Sequence, residues 1–319
     1  MAPQLQDPSA LKKLALELGF TSVGVCAAVP PPHFDDYRDW VGDGFHAGME
    51  YLERQLPLRE SPRVLLPGVK SIVAVSLNYN QPLNHRPGEP KIARYAMGRD
   101  YHRVVREKLK KLENWLSLEF PGSSSRACVD SAPILEREYA HLAGLGWFGK
   151  NTCLIDSKRG SWFFIGLLLT SVSIATDEPS AGGCGTCRKC IDACPTGAIV
   201  QQRGRWQVDS RRCVSYLTIE HRGDIPAELE PGIGDWTFGC DVCQEVCPFN
   251  EARDSQPLRA QVTQEPGFLN VRTWPTLRQL VQVSHVEWDK TTPGSPVRRA
   301  GYEGLKRNAA INLRASSGD

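Results

Sequence analysis

The sequence predicts an α+β protein in three parts: an α/β domain with one mixed sheet over residues 1–175, a cysteine-rich module over 180–255, and a short helical region over 256–319. Helical and strand-like patterns alternate as far as residue 175, which is typical of a sheet covered by helices. Eight of the 11 cysteines lie between Cys184 and Cys247, and the rest of the chain is polar with helical spacing. The polar stretch "ATDEPSAGG" separates the first two parts.

The first predicted elements are a helix and two strands. Residues 9–18 space their leucines at helical intervals, with Ser9 as the expected N-cap and Gly19 as the stop. Residues 21–28 and 69–79 are apolar and rich in β-branched side chains, which favours strands. The chain therefore opens with a helix and then supplies two strands of the sheet.

A long amphipathic helix is predicted for residues 100–120, opened by Asp100 and closed before Pro121. A short strand over residues 126–131 and a second helix over residues 133–144 follow it. These elements complete the alternation of helix and strand on which the fold class depends.

The last strands of this domain are expected to form a hairpin of residues 152–156 and 161–172 around the turn at 157–160. The second strand is the longest apolar run and falls short of the roughly 18 residues that a membrane span needs. The start, "MAPQLQDPSALKK", has neither a secretory leader nor a twin-arginine signal. We therefore expect a cytoplasmic protein with no membrane partner.

The charge of the chain is nearly balanced, with 38 Lys and Arg against 36 Asp and Glu and a net charge of +2. A nucleic-acid partner would therefore be bound by a local basic patch and not by a basic protein as a whole.

The clustered cysteines indicate metal binding, because disulfides are rare in a reducing compartment. The run "CGTCRKCIDACP" has the Cys-x2-Cys-x2-Cys-x3-Cys-Pro spacing of bacterial ferredoxins, which hold 4Fe-4S clusters. Zinc is the alternative, but structural zinc sites are closed by four ligands in pairs and do not require the third closely spaced cysteine. The spacing therefore predicts a ferredoxin-like module with two 4Fe-4S clusters.

A second run, "TFGCDVCQEVCPFN", has Thr237 where its first cysteine is expected. In two-cluster ferredoxins the fourth cysteine of each run binds the other cluster. The first cluster is therefore assigned Cys184, Cys187, Cys190 and Cys247, and the second Cys194, Cys213, Cys240 and Cys243. Cys213 completes the second set because it is the one cysteine left in the module. The other three, Cys26, Cys128 and Cys153, are expected to be buried structural thiols.

Two adjacent clusters form a one-electron path, which implies an electron acceptor in the first domain. Asp130 ends a predicted strand just before a helix, where α/β sheets present reactive groups, although an N-cap or a buried structural carboxylate is as common. Six ordered motifs then resemble the epoxyqueuosine reductase family: "RYAMGRDYH", "VDSAPILERE", "GLGWFGKN", the ferredoxin run with "CPTGAI", "RRCVSYLTIEHRGDIP" and "GCDVCQEVCPFN".

This resemblance implies an oxidoreductase that reduces epoxyqueuosine to queuosine in the anticodon loop of tRNA, the last step of queuosine biosynthesis. Cobalamin on the first domain would receive electrons from the 4Fe-4S clusters, and an external low-potential electron donor would supply them. A monomer is expected. The part of the chain after residue 255 would be a shortened HEAT-like region in contact with tRNA, since known members often continue for several more helical repeats.

The resemblance makes Asp130 the proton donor, and we expect burial beside the cofactor to raise the pKa of its carboxyl group. The residues expected to contact cobalamin are Arg59, Met97, Asp130, Ser215 and Asp241. His102 belongs to an Asp-x-His pattern that cobalt-binding sites use, but Val105 stands where that pattern has glycine. We therefore interpret His102 as a structural or solvent-facing residue and not as a cobalt ligand.

The predicted tRNA contacts are basic residues near Cys213 and on the last helix. They are Arg211, Arg212, His221, Arg222, Arg298, Arg299, Lys306 and Arg307. Arg299 and Lys306 are two helical turns apart and would share a face that contacts phosphates. An ordinary solvated helix surface explains the last four equally well.

Two other functions remain open on the sequence alone. A cobalamin-dependent reductive dehalogenase also combines a corrin with two 4Fe-4S clusters, but such enzymes usually carry a twin-arginine signal. A ferredoxin-type electron carrier explains the cysteines and leaves the first 175 residues without a task.

Overall fold

The structure is a computed structural model that describes residues 4–82 and 85–317. Its strands are β1 (Gln4–Leu5), β2 (Ser22–Ala27), β3 (Ser71–Asn78), β4 (Lys91–Ile92), β5 (Ser125–Cys128), β6 (Trp147–Phe148), β7 (Leu154–Ile155), β8 (Phe163–Thr170), β9 (Ser173–Ile174), β10 (Ile199–Gln202), β11 (Arg205–Val208) and β12 (Trp236–Phe238).

Its α-helices are α1 (Ser9–Glu17), α2 (Phe34–Gly42), α3 (Glu50–Arg54), α4 (Leu56–Arg59), α5 (Tyr101–Glu119), α6 (Glu136–Leu142), α7 (Lys189–Asp192), α8 (Val214–Ile219), α9 (Glu230–Ile233), α10 (Val242–Glu245), α11 (Pro266–Leu269), α12 (Leu277–Gln282), α13 (His285–Thr291) and α14 (Gly301–Ser317). None of the described helices is both long and apolar enough to cross a membrane.

The first domain is built on a four-stranded sheet in the order β2-β3-β8-β5. Strands β3 and β8 pair over eight residues, from Ser71 opposite Thr170 to Asn78 opposite Phe163. Both are apolar along their length because helices cover both faces of the sheet. The α+β class that the sequence predicts is confirmed.

Alternation along β3 directs side chains into two separate cores. Val73 and Val75 pack with Leu109 and the rest of the apolar face of α5, and Ile72 and Ala74 pack with α6 on the opposite face. The sheet is therefore held between α5 and α6, and the ends of these two helices border the cleft described below.

The sheet differs from the prediction in its strand directions. Every pair in the four-stranded sheet is antiparallel, where a mixed sheet was expected, and the parallel pairs lie outside it, in β1–β9 and β4–β12. Helices α2, α3 and α4 lie between β2 and β3, and β8 follows β7 after a short turn, so alternation of helix and strand along the sequence did not determine strand direction.

The predicted hairpin is also wrong in part. The turn closes through a bridge between Asp156 and Gly160, but β7 pairs with β6 and β8 pairs with β3 and β5. A Cβ atom on Gly160 would lie 2.1 Å from the Asn250 side chain, so the turn lies directly against the cysteine module. This contact separates the two strands, which propensity could not indicate.

The predicted N-caps of α1 and α5 have different outcomes. Ser9 is the first residue of α1 and not its cap, since the Asp7 carboxylate accepts the hydrogen bond from the Ser9 amide at 2.9 Å. Asp100, in contrast, caps α5 as predicted and accepts a bond from the His102 amide at 3.0 Å.

The last helix, α14, packs against the cysteine module. Asn308 is fully buried and donates hydrogen bonds to the carbonyl oxygens of Thr218 and Thr237 at 2.8 and 2.9 Å. The Thr237 hydroxyl donates to Asn312 Oδ1 at 2.6 Å. The residue that stands in place of a cysteine therefore anchors the C-terminal helix to the second cysteine run.

Candidate active-site cleft

A cleft of about 1370 Å³ lies between the sheet domain, the cysteine module and the 3-10 turn Pro296–Ala300 that precedes α14. Ordinary small-molecule sites occupy roughly 300–1,000 Å³, so this one has room for a larger ligand. Asp130, Cys213 and Arg299 come from three different parts of the chain and line the same space. The cleft is therefore the candidate active site.

Asp130 follows β5 and lies at the floor of the cleft. Its backbone has a φ of 52°, in the left-handed region that non-glycine residues rarely adopt. Its carboxylate lies 3.0 Å from His102 Nε2, and its side chain is 59% exposed to the cleft. The backbone conformation thus directs this carboxylate towards the space where a ligand would bind.

His102 joins two carboxylates. Its Nδ1 lies 2.7 Å from Asp100 Oδ1 and its Nε2 lies 3.0 Å from Asp130 Oδ2. Burial lowers the pKa of His102, but the hydrogen bonds to Asp130 and Asp100 outweigh it and raise the pKa above its ordinary value. The two carboxylates therefore favour the protonated form of the imidazole.

Sequence reasoning missed this role of His102. The available signal was its position two residues after Asp100, the cap of α5. At that position the His102 ring lies at the N-terminal turn of the helix and faces the loop after β5. Both ring nitrogens are engaged by carboxylates, in keeping with the interpretation that His102 is not a cobalt ligand.

The expectation that burial would raise the pKa of Asp130 is wrong. Burial does act in that direction, but hydrogen bonds from His102 and Tyr101 and the positive charges of His102 and Arg299 bring the pKa below its usual value. Asp130 is therefore ionised at neutral pH.

Glu136 is the carboxyl group at this site that keeps its proton. Burial, followed by the negative charge of Asp130, raises the pKa of Glu136 to about 8. Its Oε1 also accepts a hydrogen bond of 2.5 Å from the Asp130 amide. The sequence analysis did not single out Glu136, whose distinguishing mark is its place on the first turn of the helix after Asp130.

Two of the predicted cobalamin contacts line the cleft besides Asp130. Arg59 is 9% exposed and donates to the Ile134 carbonyl and to Gln55, while its Nε has no hydrogen-bond partner among the residues that the structure describes. Ser215 lines the cleft beside Cys213. Both are placed where a cofactor could reach them.

Met97 and Asp241 lie elsewhere and are not among the described residues that line the cleft. Met97 packs on the apolar cluster of the C-terminal helices. Asp241 is 2% exposed, and its carboxylate accepts a hydrogen bond from the Arg94 amide at 2.8 Å. Burial raises the pKa of Asp241 to about 6. Asp241 was expected near the cofactor because it follows Cys240 in the sequence, but this neighbour does not place its side chain at the cleft.

The charges of the assigned cysteines interact largely within the two predicted sets, although no three metal-ligating side chains among the described residues are placed to hold a metal ion. Burial, and then the negative charge of Cys184, Cys247 and Cys187, raises the pKa of Cys190 to about 11. Burial raises the pKa of Cys240 to about 12, and the charges of Cys213 and Cys194 add to it. Cys213 lines the cleft, so the second set is the one next to the candidate active site.

Cys153 differs from the other two cysteines outside the sets. Cys26 and Cys128 are buried in the core beside the sheet, as structural thiols would be. Cys153 lies instead within interaction range of Cys243 and Cys247, which belong to different sets. Its position between the two sets was not foreseen from its apolar sequence surroundings.

The residues predicted to contact tRNA make many contacts within the protein. Arg299 lines the cleft and pairs with Glu220 at 2.7 Å. The others brace the structure: Arg211 pairs with Asp209, Arg212 with the Thr196 carbonyl, His221 with the Asp224 carbonyl, Arg222 with the Arg299 carbonyl, Arg298 with Asp289, Lys306 with Tyr302, and Arg307 with the carbonyls of Leu217 and Gly223. Arg299 is thus the predicted residue best placed to meet a ligand in the cleft.

Comparison with known proteins agrees with this geometry. Two family models match the chain, "4Fe-4S double cluster binding domain" over residues 183–250 and "Epoxyqueuosine reductase QueG, DUF1730" over residues 59–131. An epoxyqueuosine reductase of Vibrio cholerae is 41% identical over 314 residues, which is 95% of this chain and 82% of the relative.

Solved structures give the same result. A crystal structure of epoxyqueuosine reductase with an epoxyqueuosine-modified tRNA-Tyr stem loop superposes with a TM-score of 0.83 at 28% identity, over 96% of this chain and 80% of the other. A Bacillus subtilis epoxyqueuosine reductase, with its catalytic aspartate loop swung out of the active site, has a TM-score of 0.83 at 29% identity, over 96% and 81%.

Proposed function

Because this chain belongs to the epoxyqueuosine reductase family, as relatives about 40% identical over nearly its full length show, we propose that it reduces epoxyqueuosine to queuosine in the anticodon loop of tRNA. It is an oxidoreductase that uses cobalamin and two 4Fe-4S clusters. The observation that carries the proposal is that Asp130 and Cys213 line one cleft. A proton source and an electron source thus meet at the same space.

The cleft fits cobalamin in size and in chemistry. Its volume of about 1370 Å³ exceeds that of ordinary ligand sites. The Nε of Arg59, which has no hydrogen-bond partner within the described part of the chain, is a buried donor at its wall, and cobalamin carries peripheral amides and a phosphate that accept hydrogen bonds. Arg59 and Ser215 are proposed to hold the corrin. When bound, cobalamin supplies the electrons that break the carbon–oxygen bond of the epoxide.

The proton is supplied by the chain itself. Conversion of the epoxide to an alkene and water takes up two electrons and two protons, and the first broken bond leaves an alkoxide that has to be protonated. We place that proton on His102 Nε2 at the start, since Asp130 is ionised. It passes to Asp130 Oδ2 across the 3.0 Å bond and then to the substrate.

Electrons enter at the partly exposed loop of the first cysteine set. Cys184, Cys187 and Cys190 are half-buried there, and Arg188 and Lys189 between them each keep 57% of their side chain exposed. Their nearest acidic partners are 3.4 and 3.9 Å away, too far for strong pairing. An acidic one-electron donor would dock on this basic loop, and the second set would pass electrons to the cleft.

The entry face is tested by reversing its charge. The R188E/K189E protein should be reduced about tenfold more slowly by an acidic ferredoxin at low salt and at an unchanged rate by dithionite. K110E/K111E, which changes an exposed face of α5, is the matched control. If the ferredoxin reduces the two double variants at equal rates, Arg188 and Lys189 do not form the docking site of the electron donor.

The function is tested by anaerobic turnover of tRNA that carries epoxyqueuosine, followed by mass spectrometry of the nucleosides. The modified base should lose one oxygen atom with the wild-type protein and keep it with D130N. D254N, an exposed carboxylate variant in the loop after the second run, is the control and should turn over normally. Reduction of a chlorinated alkene together with inert epoxyqueuosine tRNA would replace the proposal with a dehalogenase.

A further inference from the structure

Glu136 borders the cleft, and the reaction scheme above gives it no part. It is the first residue of α6, and its side chain reaches back across the six preceding residues. Its Oε1 accepts a hydrogen bond from the Asp130 amide at 2.5 Å. This bond joins the two ends of residues 130–136, and backbone bonds from Ile134 to Ala132 and from Glu136 to Ile134 make the loop compact.

The two ends of this loop are held differently. At the far end Ile134 is buried in the core below α6, and Arg59 donates to its carbonyl at 3.2 Å. At the near end Asp130 has its strained φ of 52°, and the bonds from its amide to Glu136 and from His102 to its carboxylate hold it there. A non-glycine residue keeps such a conformation when surrounding contacts fix it.

We propose that Glu136 is a positioning residue that latches the loop with Asp130 directed into the cleft. The inference rests on the proposed function, because it assigns Asp130 a position that proton transfer requires. A solved Bacillus subtilis relative has its catalytic aspartate loop swung out of the active site. In this chain the loop cannot swing out unless the bond between the Asp130 amide and Glu136 breaks.

The charges around the latch favour the closed position. Asp130 and Cys128 lie on the loop side, His102 and Tyr101 on α5, and Arg59 on α4. A neutral Glu136 adds no repulsion to the ionised Asp130 carboxylate beside it, and its carbonyl oxygen still accepts the bond from the amide. The latch therefore holds while Asp130 is charged.

The test uses two variants that differ in one property. E136Q keeps an oxygen that accepts the Asp130 bond, and E136L removes it with a side chain of similar size. In the holoenzyme, hydrogen exchange of the peptide over residues 129–136 should be about tenfold faster in E136L and within about twofold of wild type in E136Q, as expected for the loss of one hydrogen bond. The kcat for epoxyqueuosine tRNA should fall about tenfold in E136L, the KM should change little, and E136Q should recover most of the loss.

Several outcomes would overturn the latch. One is hydrogen exchange of the 129–136 peptide in E136L at the wild-type rate. Another is an equal loss of kcat in E136Q and E136L. If E136L loses its clusters, E136A with the same two measurements takes its place. Faster exchange in E136L combined with no turnover by any variant, wild type included, would leave the latch standing and remove the proposed function.

Discussion

Replacing His102 with phenylalanine removes both nitrogens that flank the two carboxylates. The new ring keeps the stacking on Tyr101, whose centroid lies 4.1 Å from that of His102, and Asp100 keeps its cap bond to the amide of residue 102. A hydrogen bond to a charged group contributes about 1.5–3 kcal/mol, and we take the lower end because the Asp130 side chain is 59% exposed. That value is about tenfold in rate. General acid catalysis, taken at its low end, contributes a further factor of about a hundred. We therefore expect kcat at pH 7.5 to fall between about tenfold and about a thousandfold.

The pH profile separates a lost proton donor from a damaged fold. In the wild type, the pKa of His102 is raised, so turnover should fall as the pH rises through that pKa. In H102F the bond that lowers the pKa of Asp130 is gone and burial raises it, so activity should recover as the pH falls. Single-turnover assays with nucleoside mass spectrometry measure both profiles, and H285F on α13 is the control. A profile in H102F that matches the wild type would refute the relay from His102 to Asp130.

Four further predictions follow from other parts of the structure. C213A should lose the second cluster and about half of the iron while C153A keeps all of it, as iron analysis would show; equal iron in the two would refute the ligand sets. R59M should retain less cobalamin through gel filtration than wild type with its clusters intact, and full retention would exclude Arg59 from the corrin site. N308L leaves two buried carbonyl oxygens unpaired and should lower the free energy of unfolding by about 2–4 kcal/mol in denaturant titrations, against less than about 1 kcal/mol for a surface substitution. The pKa of Glu136 is raised to about 8 in the folded protein, so the folded state keeps a proton that the unfolded chain releases, and the protein loses stability as the pH rises from about 5 to 8. E136Q should therefore unfold at a higher temperature than wild type at pH 9, and the difference in melting temperature should shrink towards pH 5.

Local spacing explains why the sequence predicts a double-cluster module, which the family model over residues 183–250 confirms, while the ligand sets stay a prediction. Seven of the eight cysteines lie in two short runs whose spacing is dictated by the shape of a 4Fe-4S cluster. Cys213 follows from counting, because a cluster needs four thiolates and the module holds one more cysteine. The strands β3 and β8 could also be predicted from the sequence, since each is a long apolar run.

The rest of the site depends on contacts between distant parts of the chain. His102 and Asp130 are 28 residues apart, and no periodic pattern signals that their side chains meet. The direction of the pKa shift of Asp130 is a balance between burial and hydrogen bonds, and its sign requires both partners to be known. Arg307 was predicted to face tRNA because it is basic and helical, yet its guanidinium is used to bind three carbonyl oxygens of the module.

The bonds from α14 make the last helix a support for the wall next to the cleft. Asn308 and Asn312 donate to carbonyl oxygens of Thr218, Thr237 and Gly234, which lie in the segments beside Cys213 and Cys240. A substitution on α14 can therefore alter the surroundings of the second cysteine set without touching a cysteine.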